Sequence, residues 1–451
     1  MVTYNYTIKP IDTVGEYGYY TLVVLVFLYR RLSMSFINDI SDYIRSGESD
    51  SQDLGLEIEH FIINDEGKQM EFHEISSLID LVGRRLGAEI IYMDGYPVGY
   101  YTGEYSTSLE PACQFEISIN PYSDLDTIKS IYDEFREIWN PIFRDRGYHF
   151  ETKGNLPLVE LGEITPDDIP LSPKKRYKYM DEYFKRSGIY GKYMMRASAS
   201  AQVSIDYKSE EDMVRKLNVL QKISPILMII MENKCEELST LPGVEDKPHL
   251  FRIQEWDDLD TDRTGFVPHS FDLDFGYDKM ADVVYHTPLI LLTDNGETIN
   301  VGHQSAEELV TNKIIYEDEL GENRKKSLIE HFMSMGFFHF RVKKYIEVRV
   351  ADSVPIDKAL GYVALLKGIA YSEENLEQLE EVLSSVESIS DIQAAVEEIE
   401  RDGFDAAIYD GKTAAEWADY IVGLASEALS DKDREYLNNV RTIWSYSEQA
   451  S

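Results

Sequence analysis

The chain has 451 residues, enough for a sizeable core in one large or two to three ordinary domains, and its 31 tyrosines and 18 phenylalanines mark a folded protein, not a disordered one. Its 82 acidic against 44 basic residues leave a formal charge of −38, which excludes a nucleic-acid partner because phosphate neutralisation needs a basic surface. Two cysteines, Cys113 and Cys235, outside any CxxC spacing, and the lack of HExxH exclude a disulfide framework and a thiolate zinc site, and suit a reducing cytoplasm.

The first apolar run, Tyr19–Tyr29, covers 11 residues, whereas a membrane-spanning helix needs ~20, so no membrane partner is expected. Its basic pair, Arg30 and Arg31, follows the run, which is the wrong side for a signal peptide. Met34 then opens the amphipathic "MSFINDISDYIRSG", so residues 1–33 read as an appendage ahead of a misplaced start, with a membrane-surface anchor as the alternative. Strands are expected at 54–63, 100–109, 113–119, 198–206 and 342–350, and helices at 36–46, 73–87, 124–147, 174–186, 209–236 and 355–371. Loops are expected at 162–173 and in the Asp-rich 255–268. From Ser372 the strand signals stop and apolar residues recur at helical spacing. The expectation is an α+β fold, with a catalytic domain over 34–371 and a helical region over 372–451 packed on it.

Several strands pair an aliphatic face with an acidic or amide one. In "DLGLEIEHFII", Glu57 and Glu59 project from one face while Leu56, Ile58 and His60 take the other. In "SLEPACQFEIS", Gln114, Glu116 and Ser118 share a face, and Glu110 sits at the Pro111 break just upstream. Ser200, Gln202, Ser204 and Asp206 align in "SASAQVSIDY", as do Tyr345, Glu347 and Arg349 in "KKYIEVRV". For one strand alone, a half-wet sheet explains this. Across four strands, carboxylates of one sign side by side destabilise a sheet unless cations neutralise them. Oxygen ligands without clustered Cys or His select Mg²⁺, or Mn²⁺. Mg²⁺ commonly completes its shell with phosphates, yet the chain has neither G-x-x-x-x-G-K-[ST] nor G-x-G-x-x-G after a strand. A nucleotide is then held by a metal-lined sheet in place of a glycine loop.

Six segments in order resemble the glutamate–cysteine ligases of the plant and proteobacterial type, relatives of glutamine synthetase. They are "LGLEIEHF", "SLEPACQFEIS", "KKRYKYMDEYF", "SASAQVSIDY", "DTDRTG" and "YIEVRVAD". The resemblance implies a curved antiparallel sheet, surrounded by helices, that holds two or three Mg²⁺ ions and ATP. It implies ligation of the γ-carboxylate of L-glutamate to the amine of L-cysteine through a γ-glutamyl phosphate, in a monomer or homodimer. Its metal ligands fall on Glu57, Glu59, Glu110, Glu116 and Glu347, and Gln202 lies beside them. It also makes Arg349 the phosphoryl-facing, nucleotide-binding residue, catalytic together with Glu347. Arg263 becomes a glutamate-carboxylate binder, Arg176 a second one, and Trp256 a wall of the cysteine pocket. The family commonly has two glycines where this chain has Ala112 and Cys113, which implies a different backbone approach to the ligand there. Two rivals stay open: a ligase of the same fold with another amine, and a silent nucleotide- or metal-binding regulator.

Overall fold

A computed structural model describes residues 36–235, 239–316 and 319–441; the appendage expected over 1–33 lies outside them. Among the described residues there are eleven strands: β1 (Leu54–Asn64), β2 (Glu89–Met93), β3 (Tyr96–Tyr101), β4 (Tyr105–Leu109), β5 (Phe115–Tyr122), β6 (Tyr148–Glu151), β7 (Ser200–Ile205), β8 (Leu289–Asp294), β9 (Glu297–Gln304), β10 (Phe340–Val342) and β11 (Ile346–Asp352). Nine of them form one sheet in the order β10-β11-β7-β1-β5-β4-β3-β2, with β6 pairing the far half of β1. Every pairing in it is antiparallel. Together with the many helices, this is the expected α+β class.

The strand expected over 100–109 is broken at Gly103, whose φ of 103° no other residue adopts comfortably, so β3 and β4 form a hairpin. The hairpins β2–β3 and β8–β9 turn through Asp94-Gly95 and Asn295-Gly296, all four with positive φ, as a two-residue type I′ connection requires. Part of the expected loop 255–268 is instead the end of a helix, Phe251–Asp257, whose first five residues are all buried, with Ile253 in the main core and Phe251 in a separate small cluster. Asp206 falls just beyond β7 and off its face, where its N–H donates to the Tyr371 hydroxyl.

The helix Leu125–Arg144 covers one face of the sheet and sends Tyr132, Phe135, Trp139 and Phe143 into the core. The Phe115 and Trp139 rings lie 4.8 Å apart edge to face, and full burial of each such side chain stabilises by about 1.5–3 kcal/mol. His60 belongs to this side: its ring nitrogens sit 3.0 Å from the Phe115 carbonyl oxygen and 2.8 Å from the Tyr132 hydroxyl. Beyond Ser372, the helices Glu373–Val382, Ile389–Asp402, Ala414–Ala428 and Asp431–Arg441 bury Leu376, Ile392, Trp417 and Leu437 in the same continuous core as Leu54 and Phe115. Among the described residues no helix is long and apolar enough to cross a membrane.

Candidate active site

The other face of the sheet floors a cavity of about 310 Å³. Register decides what meets there. Glu59 of β1 lies opposite Glu116 of β5, and Glu57 lies between Ser118 of β5 and Gln202 of β7. Glu110 enters from the tight turn after β4, closed by the Glu110 N–H on the Gln114 carbonyl at 2.9 Å. On β11 the register slips between Val348 and Ala351, and Arg349 sits at that irregularity. Bulges of this kind re-aim side chains, and Arg349 reaches both Glu347 and the Gln202 amide oxygen.

Read along the strand order, this face changes sign. At the β10–β11 edge stand Arg341, Lys343, Glu347 and Arg349; from β1 to the end of β4 stand Glu57, Glu59, Glu116 and Glu110. Glu347 is 2 % exposed and caged by Arg341 at 2.6 Å, Lys343 at 3.0 Å and Arg349 at 3.0 Å. Burial opposes its charge, but the three cations overcome that and hold its carboxyl far below the usual range. The acidic half has no such relief: none of its four carboxylates forms an ion pair with a described residue. Burial, then Glu110, pushes Glu59 up to about 7, although the Ser200 N–H donates to it at 2.6 Å. Burial followed by Glu57, Glu110 and Glu59 pushes Glu116 well up, against hydrogen bonds from Ser108 and Ser118 at 3.0 and 3.1 Å. Burial and Glu347 likewise raise Glu57.

Four half-buried, like-charged, all-oxygen side chains without a cationic partner among the described residues fit hard divalent cations. Among the described residues, the one trio of Asp, Glu, His or Cys side chains with ligand atoms already within 4.8 Å of one another is Asp260, Asp262 and His303; Asp262 and His303 are exposed and pair with each other, and Asp260 pairs with Arg263. No three of the cavity carboxylates bring ligand atoms within 4.8 Å of one another. That suits Mg²⁺, which takes one or two carboxylates and completes its octahedron with water and phosphate oxygens.

Arg176 and Trp256 line the cavity, each with a buried side-chain nitrogen (Nε and Nε1) lacking a protein partner among the described residues. Arg263 does not. It is fully buried away from the cavity, donating to Asp260 at 2.7 Å, to the Pro288 carbonyl and to the Tyr183 hydroxyl at 3.2 Å. Its guanidinium is spent on holding its own loop, which corrects the reading of Arg263 as a substrate ligand. Arg252 was missed by sequence reasoning. It lines the cavity at 4 % exposure with a buried, unpartnered Nε, its guanidinium 5.8 Å from the Trp256 ring centre. The signal was present, since 252 and 256 are one helical turn apart, but it is invisible once the expected loop 255–268 takes Trp256 out of any helix. Ala112 and Cys113 also face elsewhere. Both line a separate cavity behind the Glu110 turn, where Cys113 takes φ 68°, so the left-handed backbone that suits glycine is kept.

A pocket that gathers carboxylates for cations, cations for phosphates and unpaired guanidiniums for carboxylates is equipped for ATP-dependent acyl activation. The chain matches the model of Glutamate-cysteine ligase family 2 (GCS2) over residues 53–444 and belongs to that family. It is 28% identical over 353 residues to glutamate–cysteine ligase A, chloroplastic, of Oryza sativa subsp. indica, covering 77% of this chain and 69% of that one. The glutamate–cysteine ligase, chloroplastic, of Nicotiana tabacum is 26% identical over 415 residues, 90% of this chain and 76% of its own. A glutamate–cysteine ligase structure from Francisella tularensis in complex with AMP superimposes with a TM-score of 0.47 at 13% identity, covering 87% of this chain and 81% of that one.

Proposed function

We propose that this chain joins the γ-carboxylate of L-glutamate to the amine of L-cysteine, with conversion of ATP to ADP and phosphate. The observation that carries the reading is the divided face, with four carboxylates that have no ion-pair partner beside three cations gathered on Glu347 in one cavity. A carboxylate is a poor acyl donor because its leaving group is oxide; phosphorylation makes the leaving group phosphate. Glu57, Glu59, Glu110 and Glu116 would hold Mg²⁺ or Mn²⁺, and Glu347 retains Oε1 capacity beside its Lys343 contact for a further ligand role. The bound cations supply charge neutralisation to the nucleotide's phosphates. Arg349, already oriented by Glu347 and Gln202, stabilises the charge on the transferring phosphoryl group. Arg252 and Arg176 offer unpaired donors to amino-acid carboxylates, and the apolar wall of Met180, Met194, Trp256 and Phe337 suits the CH₂SH side chain of cysteine. Orientation of the acyl and amine partners supplies several kcal/mol, on the order of 7 at best. The free thiols of Cys113 and Cys235 support a cytoplasmic setting.

The test is ADP release with glutamate fixed and a panel of amines, coupled to ¹⁸O in the glutamate γ-carboxylate. One label per dipeptide should appear in inorganic phosphate. Label in AMP with pyrophosphate released overturns the acyl-phosphate path; turnover with another amine but not cysteine reassigns the acceptor; no turnover with any amine makes the chain a silent binder.

A further inference from the structure

Gln114 shares a face with Glu116 and lines the cavity, but as a neutral side chain it adds nothing to either charged half. It is 1 % exposed, and both ends of its amide are spent on backbone. Oε1 accepts the Ala112 N–H at 2.9 Å, and Nε2 donates to the Ser198 carbonyl at 2.9 Å. Each partner belongs to a segment that holds one of the acidic side chains in place. Ala112 sits in the turn that carries Glu110, closed by the Cys113 N–H on the Glu110 carbonyl at 3.1 Å. Ser198 comes just before Ser200, whose N–H donates to the Glu59 carboxylate at 2.6 Å. Gln114 leads into β5 and Ser198 into β7, and these strands flank β1 on opposite sides. The amide therefore spans β1, the strand that carries Glu59.

We propose that Gln114 is a positioning residue that fixes the separation of Glu110 and Glu59, and through it the preference of the site for Mg²⁺ over a larger divalent cation. The inference rests on the metal reading above and adds the residue that sets the width of the carboxylate pair. Of the charges acting on Glu59, that of Glu110 is the largest, so the two repel and drift apart unless something holds them. Mg²⁺ demands a near-ideal octahedron with oxygens at about 2.0–2.1 Å, whereas Ca²⁺ accepts a flexible shell at about 2.3–2.6 Å. A fixed gap discriminates between them; a loose one does not. An amide suits the task because one planar group supplies a donor and an acceptor. A carboxylate would add a further negative charge to this face, and an aliphatic side chain would leave the Ala112 N–H and the Ser198 carbonyl unmet.

Both ends of the brace rest on fixed backbone. Ala199 gives its N–H to the Gly154 carbonyl at 2.9 Å and accepts the Ser353 N–H at 3.0 Å, while the Ser353 hydroxyl donates to the Glu59 carbonyl at 2.5 Å. On the other side, the Ser172 N–H donates to the Pro111 carbonyl at 2.8 Å, and the buried Lys174 ammonium donates to the Leu109 carbonyl. Phe61, next after Glu59 on the same strand face, is fully buried in a small cluster with Ala112, Ala197 and Ala199. Apolar packing thus joins the same two segments that the amide joins.

Gln114→Met keeps the length of the side chain and removes both hydrogen bonds; Gln114→Asn keeps the amide but is one methylene too short to reach both partners. Binding of Mn²⁺ to the full chain without nucleotide is followed by the electron paramagnetic resonance of the free ion, with Mg²⁺ and Ca²⁺ as competitors and melting temperature recorded. Loss of a partner that orients a metal ligand costs about 10- to 100-fold in affinity, so each variant should bind Mg²⁺ at least about 10-fold more weakly. Ca²⁺ should lose less, so the Mg²⁺-to-Ca²⁺ preference should fall. In the metal-free wild type the Ala112 amide should be protected from hydrogen exchange, and Gln114→Met should abolish that protection. A lower melting temperature with wild-type metal affinities, or equal losses for Mg²⁺ and Ca²⁺, overturns the positioning role. So does an unprotected Ala112 amide in the wild type, whether or not the variants fold. Wild-type protein that takes up none of the three ions overturns the metal reading itself, a different result.

Discussion

Replacing Glu59 by glutamine should make the metal-free protein more stable while removing its activity. The side chain keeps its shape and its oxygen can still accept the Ser200 N–H, so the change is one of charge. Burial and Glu110 lift this carboxyl to about 7 from 4.5 in the unfolded chain, so its ionised form costs the folded state about 3 kcal/mol. The sign follows from proton uptake. The folded protein holds the proton more tightly, so the contribution of Glu59 is most favourable below pH 4.5, declines as pH rises and is lost above about 7. In EDTA at pH 8 the variant should therefore melt higher than wild type, by about 4 °C for a chain of this size, and the gap should vanish by pH 4.5. Mg²⁺ at one hundred times Kd should narrow the gap, since about 2.7 kcal/mol accrues to wild type and less to a variant with a ligand missing. A variant that melts below wild type in EDTA at pH 8, or a gap independent of pH, refutes the reasoning.

The same substitution at Glu347 should have the opposite sign: Arg341, Lys343 and Arg349 lose their shared counter-ion, so metal-free Glu347→Gln should be destabilised by about 3 kcal/mol in urea titrations, and an unchanged midpoint would falsify the cage. Arg263→Met should lower stability by about 3 kcal/mol by stranding buried Asp260, with the KM for glutamate little changed in whatever folds; intact stability with a raised KM would restore it as a substrate ligand. His60, whose pKa burial drives to about 3 from 6.5, weakens the fold progressively as pH falls below 6.5. His60→Phe should lose stability at pH 7 yet show an acid slope between pH 7 and 5 shallower by about 2 kcal/mol, and parallel slopes would count against a neutral buried imidazole.

Much of the site was legible because strand alternation is local. Glu57 and Glu59 part from His60 within four residues, and no distant contact is needed to know that they face opposite ways. The same parity runs back from Arg349 through Glu347 and Tyr345 to Lys343 and Arg341, a signal that stopped short because β10 is only three residues long and a turn intervenes. The Asp-Gly and Asn-Gly turns likewise stood in the sequence as hairpin markers, but their strands are short and half exposed, so the apolar pattern that announces a buried strand is weak there.

By itself, then, the sequence determined which side chains share a face, the α+β class and the family to which the chain belongs. Which of those charges are paired was decided only by the tertiary structure. Glu57 and Glu347 look alike along the chain, yet one is pushed up by burial and Glu347 while the other is held down by three cations. Arg252 and Arg263 look alike as well, yet one opens on the cavity and the other is consumed by Asp260, Pro288 and Tyr183. The physical reason is that orientation follows from the backbone repeat, whereas the state of a buried charge depends on what packs against it from elsewhere in the chain, and alternation carries no information about that.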